Sequence, residues 1–206
     1  MKNILVICSF FLLPCCLSAQ YSFALGVGSN WSTLVAPQSE VNFAYKEGFY
    51  LAFTPHFQLY KTWRLLPSIQ FSTEGYQSST FHFSQRTSFS YLRFSPQVEY
   101  APRQYVGLRF GPNIGFKTSD SDSFSNTSSV LNRFRPIHDA LDDIDFGLAL
   151  GARFYMHQFF INFNYYQGLY HKETIAIFNN NFVNPINGIS RNSSFQIGIG
   201  YVFQKK

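Results

Sequence analysis

The segment Val106-Gly107-Leu108-Arg109-Phe110-Gly111-Pro112-Asn113-Ile114-Gly115-Phe116 alternates without a break. Its even-numbered positions are large and apolar except for Pro112, and its odd-numbered positions hold only glycine, arginine or asparagine. A period of two places successive side chains on opposite faces of a β-strand. One face is therefore continuously apolar, and the other carries small groups and a single cation. A strand that turned its second face to bulk water would fill it with Lys, Glu and Asp. Glycine, asparagine and one arginine suit a narrow lumen packed by side chains, with the apolar face turned outward.

Seven further stretches repeat the pattern. Residues 22–31 set Phe23, Leu25 and Val27 against Ala24, Gly26 and Gly28, and 48–60 set Phe49, Leu51 and Phe53 against Tyr50, Ala52 and Thr54. Residues 63–76 set Leu65, Ile69 and Phe71 against Arg64, Ser68 and Gln70. The same alternation runs through 88–101, 144–156, 159–170 and 194–204, and the opening segment belongs to 104–117. Pro55, Pro67, Pro96 and Pro112 fall inside these stretches, and a missing ladder donor predicts bulges or strand ends there.

The connections between the stretches alternate in length. Short ones fall at Lys61-Thr62, at Pro102-Arg103 and at 156–158, while long ones cover 32–46, 77–87, 118–143 and 171–192. Tight turns at one end and large loops at the other are the layout of a barrel that crosses a membrane. The expected fold is all-β: an eight-stranded antiparallel up-and-down transmembrane β-barrel. Trp31, Tyr60, Trp63, Tyr100, Tyr105, Tyr170 and Tyr201 lie near strand ends, as aromatic girdles at two interfaces require.

Composition agrees with dispersed rather than blocked hydrophobicity. Charged residues make up 13% of the chain and aromatic ones 19%, yet the mean hydropathy is only -0.08. Beyond the N-terminus no segment approaches the roughly 18 consecutive apolar residues of a membrane helix. The N-terminus itself reads as a secretory signal over 1–19: Lys2, an apolar run over 4–13, then Leu17-Ser18-Ala19. Cys8, Cys15 and Cys16 all lie inside it, so the barrel domain, 20–206, has no thiol, disulfide or cysteine-based metal site. The formal charge of +5 is spread without a basic stripe, which argues against a nucleic-acid partner.

The terminal strand Gln196-Ile197-Gly198-Ile199-Gly200-Tyr201-Val202-Phe203 resembles the C-terminal signal that the barrel-assembly machinery of outer membranes recognises. Gln204-Lys205-Lys206 extend it past the final aromatic. With Phe23-Ala24-Leu25-Gly26-Val27-Gly28, Tyr91-Leu92-Arg93-Phe94-Ser95-Pro96, Arg109-Phe110-Gly111-Pro112-Asn113 and Asp145-Phe146-Gly147-Leu148-Ala149-Leu150-Gly151, the chain resembles the PorT-like family of small outer-membrane β-barrels of Bacteroidetes-type bacteria. That resemblance implies an outer-membrane location with both mature termini in the periplasm. Some members take part in protein secretion, so it also implies an accessory or interaction role there.

No catalytic, cofactor or metal constellation stands out, and a non-enzymatic protein is expected. His56, His82, His138, His157 and His171 are scattered, although His82-Phe83-Ser84 faintly resembles the pair used by outer-membrane lipid deacylases. Asp139, Asp142, Asp143 and Asp145 form an acidic cluster without calcium-loop spacing, and read as a solvated loop. The inward charges are more informative. Hairpin registers place Glu74 near Arg93 and Glu99 near Arg109, with Arg64 and Arg153 in the same lumen, so an internal ion-pair network is expected. Bulky groups from strands two, three, four and seven should lean over glycine walls on one, five, six and eight and leave no continuous pore. Function then falls to the long loops, where a protein partner would bind, beside the lipid that surrounds the wall. The alternative, a small-solute channel, is disfavoured by an eight-stranded lumen.

Overall fold

The computed structural model describes residues 22–35, 43–80, 83–126, 144–179 and 182–204. Residues 1–19, expected to be a secretory signal, the acidic positions 139, 142 and 143, and the C-terminal lysines lie outside the described residues. Eight strands follow one another: β1 (Ser22–Val35), β2 (Phe43–Tyr60), β3 (Trp63–Thr80), β4 (Phe83–Arg103), β5 (Val106–Asn126), β6 (Ile144–Met156), β7 (Phe159–Asn179) and β8 (Phe182–Gln204). Each pairs antiparallel with its sequence neighbours, and β1 pairs with β8 to close the barrel. Closure leaves no sheet edge, the condition for placing β-structure in lipid.

The barrel is inside-out relative to a water-soluble domain. Phe23, Leu25 and Val27 on β1, and Leu148 and Leu150 on β6, are among the many large apolar side chains exposed on the outer wall. The largest fully buried side chains include Arg93, Glu74, Glu99, Asn30 and Asp145. Buried apolar residues such as Leu66 and Phe89 are scattered, and Ala24, Phe160 and Val202 form a small packed cluster at the turn end, with Tyr155 against it. The outer face alone carries the apolar signal that sequence periodicity detects. Aromatic pairs flank the turn end, where Phe23 stacks on Phe203 at 4.8 Å and Trp63 lies tilted against Tyr100 at 4.9 Å, centroid to centroid.

Three features differ from the sequence reading. The turn expected at Pro102-Arg103 falls at Gln104-Tyr105, because Arg103 still pairs with Val106. The four prolines do not end strands. The ladder runs through them on one side, with Pro67 facing Pro96 and Pro55 facing Phe23, and is interrupted on the other, over 54–56 against 66–68 and over 95–97 against 111–113. Each removes one donor, whereas the bonds on either side of it hold the register.

The third difference concerns the long connections. The β3–β4 ladder continues to Thr80 opposite Phe83, and the β7–β8 ladder to Asn179 opposite Phe182. The spans 77–87 and 171–192 are therefore largely strand hairpins, and 118–126 continues β5. The spans 77–87 and 118–126 are mostly Ser, Thr, Gln and Asn, and 171–192 carries its apolar residues in runs such as Ile175-Ala176-Ile177-Phe178 without alternation, so hydrophobic periodicity misses all three. About 9–11 residues suffice to cross a bilayer as a strand. β4, β5 and β7 have 21 residues each and β8 has 23, so much of each rises beyond the membrane at the end opposite the turns. β6, with 13, does not.

Candidate functional site in the barrel lumen

The lumen is closed by bulky side chains lying over glycines. Tyr50 on β2 reaches across to β7, where Asn162 Nδ2 donates to its hydroxyl at 2.8 Å. The path crosses the point where Gly28 on β1 faces Gly198 on β8, and a Cβ on Gly198 would collide with the Tyr50 hydroxyl. The Phe160 ring occupies the same kind of slot over Gly200, Tyr166 over Gly147, and Arg93 over Gly115. Small residues on β5, β6, β8 and β1 thus make room for large ones on β2, β4 and β7.

At the hairpin end, one arginine organises the lumen. Arg93 is 1% exposed, and Glu74 and Asp145 are both 0% exposed. Its Nε and Nη2 donate to the two oxygens of Glu74 at 2.7 and 2.6 Å, a bidentate pairing. Nη2 also reaches Asp145 Oδ2 at 2.8 Å, and Nη1 donates to Asn113 Oδ1 at 3.1 Å. Asn192 Nδ2 donates to Glu74 and Asp145 at 2.7 and 3.2 Å, and Ser72 Oγ donates to Glu74 at 2.8 Å. The guanidinium lies 4.7 Å from the Tyr91 ring centroid and 4.2 Å from that of Tyr166. Lys46 Nζ caps the layer by donating to the Glu74 carbonyl at 3.0 Å.

At the turn end, Glu99 is the centre. Arg64 Nη1 lies 3.0 Å from its Oε1, and the Tyr155 hydroxyl is within 3.0 Å of both oxygens. Arg64 is 27% exposed, at the mouth of the barrel. Glu99 therefore takes Arg64, its direct partner across β3–β4, and not Arg109, its direct partner across β4–β5. The side chain leans over Gly107, where a Cβ would meet its carboxylate at 2.5 Å. That tilt carries it toward Tyr155 and away from Arg109. Arg109 instead hydrogen-bonds the Asn164 side chain.

Of the six charged residues expected in the lumen, the structure joins Arg93 to Glu74 and Arg64 to Glu99, and leaves Arg109 and Arg153 without a carboxylate within 4.0 Å among the described residues. Asp145 corrects the reading of an acidic loop. It faces Gly115 on β5 as an inward residue of β6. Its parity with Gly147, Gly151 and Arg153 carries that signal. Asn113 and Asn192 were likewise missed as lumen ligands of this network, since amides have no charge to attract notice. Of the histidines, His56 lies in the lumen, His157 sits in a turn with φ of 61°, and His82 and His138 lie outside the described residues. Among the described residues no group of three His, Asp or Glu side chains is placed to hold a metal.

A closed antiparallel barrel with an apolar outer wall and a buried polar interior belongs to the transmembrane β-barrel class. The family model described as outer membrane protein beta-barrel domain matches residues 15–171 of the 206, and the chain belongs to that family. It is an integral outer-membrane protein. Its form is similar to that of Ail, the attachment invasion locus protein of Yersinia pestis, at 15% identity and a TM-score of 0.46, over 89% of this chain and 99% of that one. OprG from Pseudomonas aeruginosa is similar at 13% identity and a TM-score of 0.46, over 91% and 97% of the two chains. Neisserial surface protein A is similar at 13% and 0.45, over 88% and 97%. Likenesses of this degree carry no functional information. No curated protein matches the chain significantly.

Proposed function

We propose that this barrel is non-enzymatic and works through the wall and hairpins that rise beyond the membrane, with the lumen serving as a plugged scaffold. The observation that carries this reading is the lumen itself. Side chains fill it at two charged levels and leave a central cavity of about 30 Å³, room for one or two water-sized groups. A solute path would need those levels to part. In this reading the tight turns and both mature termini face the periplasm, and the tall hairpins face outward to meet a protein partner. Outer-membrane lipid covers the apolar wall, and the strand ending in Tyr201-Val202-Phe203 is the handle for the barrel-assembly machinery. The resemblance to PorT-like barrels favours an accessory place in protein secretion.

A small-solute channel is the second reading, and one observation favours it. The obstruction consists of side chains, which can rotate, and no backbone segment is described across the lumen. Planar-bilayer recordings separate the two. The plugged scaffold shows no steady open conductance, whereas a stable open level would transfer the assignment to the channel. Deleting the gene and assaying secreted proteins then tests the partner: an unchanged secretion profile removes the accessory role. Crosslinking from the hairpin ends would identify the bound protein.

A further inference from the structure

Two arginines in the middle of the lumen lack the partners that the others have. Arg109 on β5 faces Gly151, and Arg153 on β6 faces Gly107, which makes them diagonal neighbours across the β5–β6 seam. Such positions lie about 7–8 Å apart along the sheet. Both side chains are buried, and each Nε lacks a hydrogen-bond partner among the described residues. The carboxylates of the lumen are committed elsewhere, Glu74 and Asp145 to Arg93 and Glu99 to Arg64.

The groups that do touch this pair are neutral. Arg109 meets the Asn164 amide oxygen, and Arg153 Nη1 lies 3.1 Å from His56 Nε2. A guanidinium has only donors, so that ring nitrogen accepts and His56 is the neutral tautomer with its proton on Nδ1. The Phe160 ring lies 4.1 Å from the Arg153 guanidinium carbon. Arginine stays protonated under all ordinary conditions. Two permanent positive charges are thus buried side by side without a carboxylate within 4.0 Å among the described residues.

The cavity of about 30 Å³ opens onto both arginines, and no carboxylate among the described residues lines it. Tyr50 also lines it; its oxygen accepts from Asn162, so its own hydroxyl proton is left to donate. Donors converge, the charge is positive, and the space suits one or two water-sized groups. We propose that this cavity binds one small monovalent anion of halide size, chloride in ordinary media, held by Arg109, Arg153 and the Tyr50 hydroxyl. A monatomic anion needs donors alone and fits the volume. A phosphate or sulfate brings four oxygens and a second charge, and needs more donors than these three groups supply. Water fits but leaves both charges uncompensated.

The test uses the whole folded barrel in detergent. Its unfolding midpoint is followed at fixed ionic strength in sodium chloride, bromide, sulfate and gluconate, and crystals grown in bromide are measured at the bromine edge. The expected result is a saturating rise with chloride or bromide alone, about 3–6 °C at roughly tenfold above the dissociation constant. An anomalous peak should sit beside the Arg109 and Arg153 guanidiniums. Arg153→Gln should abolish both signals. Tyr50→Phe, which removes one hydroxyl and keeps the ring over Gly198, should weaken the halide dependence even if Arg153→Gln does not fold. A midpoint that responds alike to all four salts, or a cavity holding only water in the bromide crystals, overturns the proposal.

Discussion

Arg93 and Arg109 enter the same lumen from neighbouring strands, and their surroundings could hardly differ more. Arg93 is met by two carboxylates, an asparagine and two aromatic rings, with groups from β3, β4, β5, β6, β7 and β8 gathered on it directly or through Asn192. Arg109 has an amide from β7, and its Nε has no partner among the described residues. Backbone ladders tie each strand only to its two neighbours. A saturated arginine ties strands that never touch, so Arg93 acts as a cross-barrel lock just where the tall hairpins leave the wall. Arg109 locks nothing across the barrel beyond β7. Burial of charge in a barrel is thus no single phenomenon, and its energetic sign depends on what closes around it.

Substitutions along the lumen should grade accordingly. Arg93→Met has the largest expected effect, because it leaves Glu74 and Asp145 buried, close together and without a cation. Breaking a buried pair from one side costs about 3–5 kcal/mol, and here two carboxylates are orphaned. Urea unfolding of the barrel in lipid vesicles measures it, and a loss below about 1 kcal/mol would deny Arg93 its role as a lock. Glu99→Gln should cost less, about 1–2 kcal/mol by the same assay. Its partner Arg64 is 27% exposed at the barrel mouth and can recover water when the charge is lost. A cost equal to that of Arg93→Met would mean that the turn end is as dry as the hairpin end.

The difference between these two levels bears on what a sequence can reveal. Parity alone puts Arg64, Glu74, Arg93, Glu99, Arg109 and Arg153 in one lumen: five of them have an apolar neighbour in sequence, and Glu74, between Thr73 and Gly75, continues the even-numbered inward face of Arg64, Ser68 and Gln70. Which charges meet depends on tilt, and tilt depends on the glycine each side chain leans over. Gly107 frees Glu99 to lean toward Arg64 and Tyr155, a choice that strand register does not encode. Asp145 was hidden for another reason: three nearby aspartates made it look like loop, although its alternation with Phe146 and Leu148 marks it as wall. The outer ends of β3, β4 and β5 and the longer outer portions of β7 and β8 fall in spans expected as loops, because strands outside the membrane need no alternating apolar face. Their hydrogen-bonded ladders are invisible to a signal built on hydrophobicity.

Arg109→Met sharpens the comparison most, because the same change should have opposite signs in different salts. Methionine fills much of the same space, leaves no carboxylate unpaired, and removes one of two adjacent like charges. Replacing buried ions with apolar groups is often neutral or stabilising. In gluconate, therefore, Arg109→Met should fall within about 1 kcal/mol of the parent, or above it, with only the Asn164 amide left to find a new donor. In saturating chloride the parent should gain the anion's binding energy, which the variant cannot. The variant then becomes the less stable of the two, and the crossover salt concentration reports the affinity of the site. Parallel titration curves for parent and variant would show that Arg109 is tolerated without any counterion, by dispersal of its charge into the surrounding amides and rings.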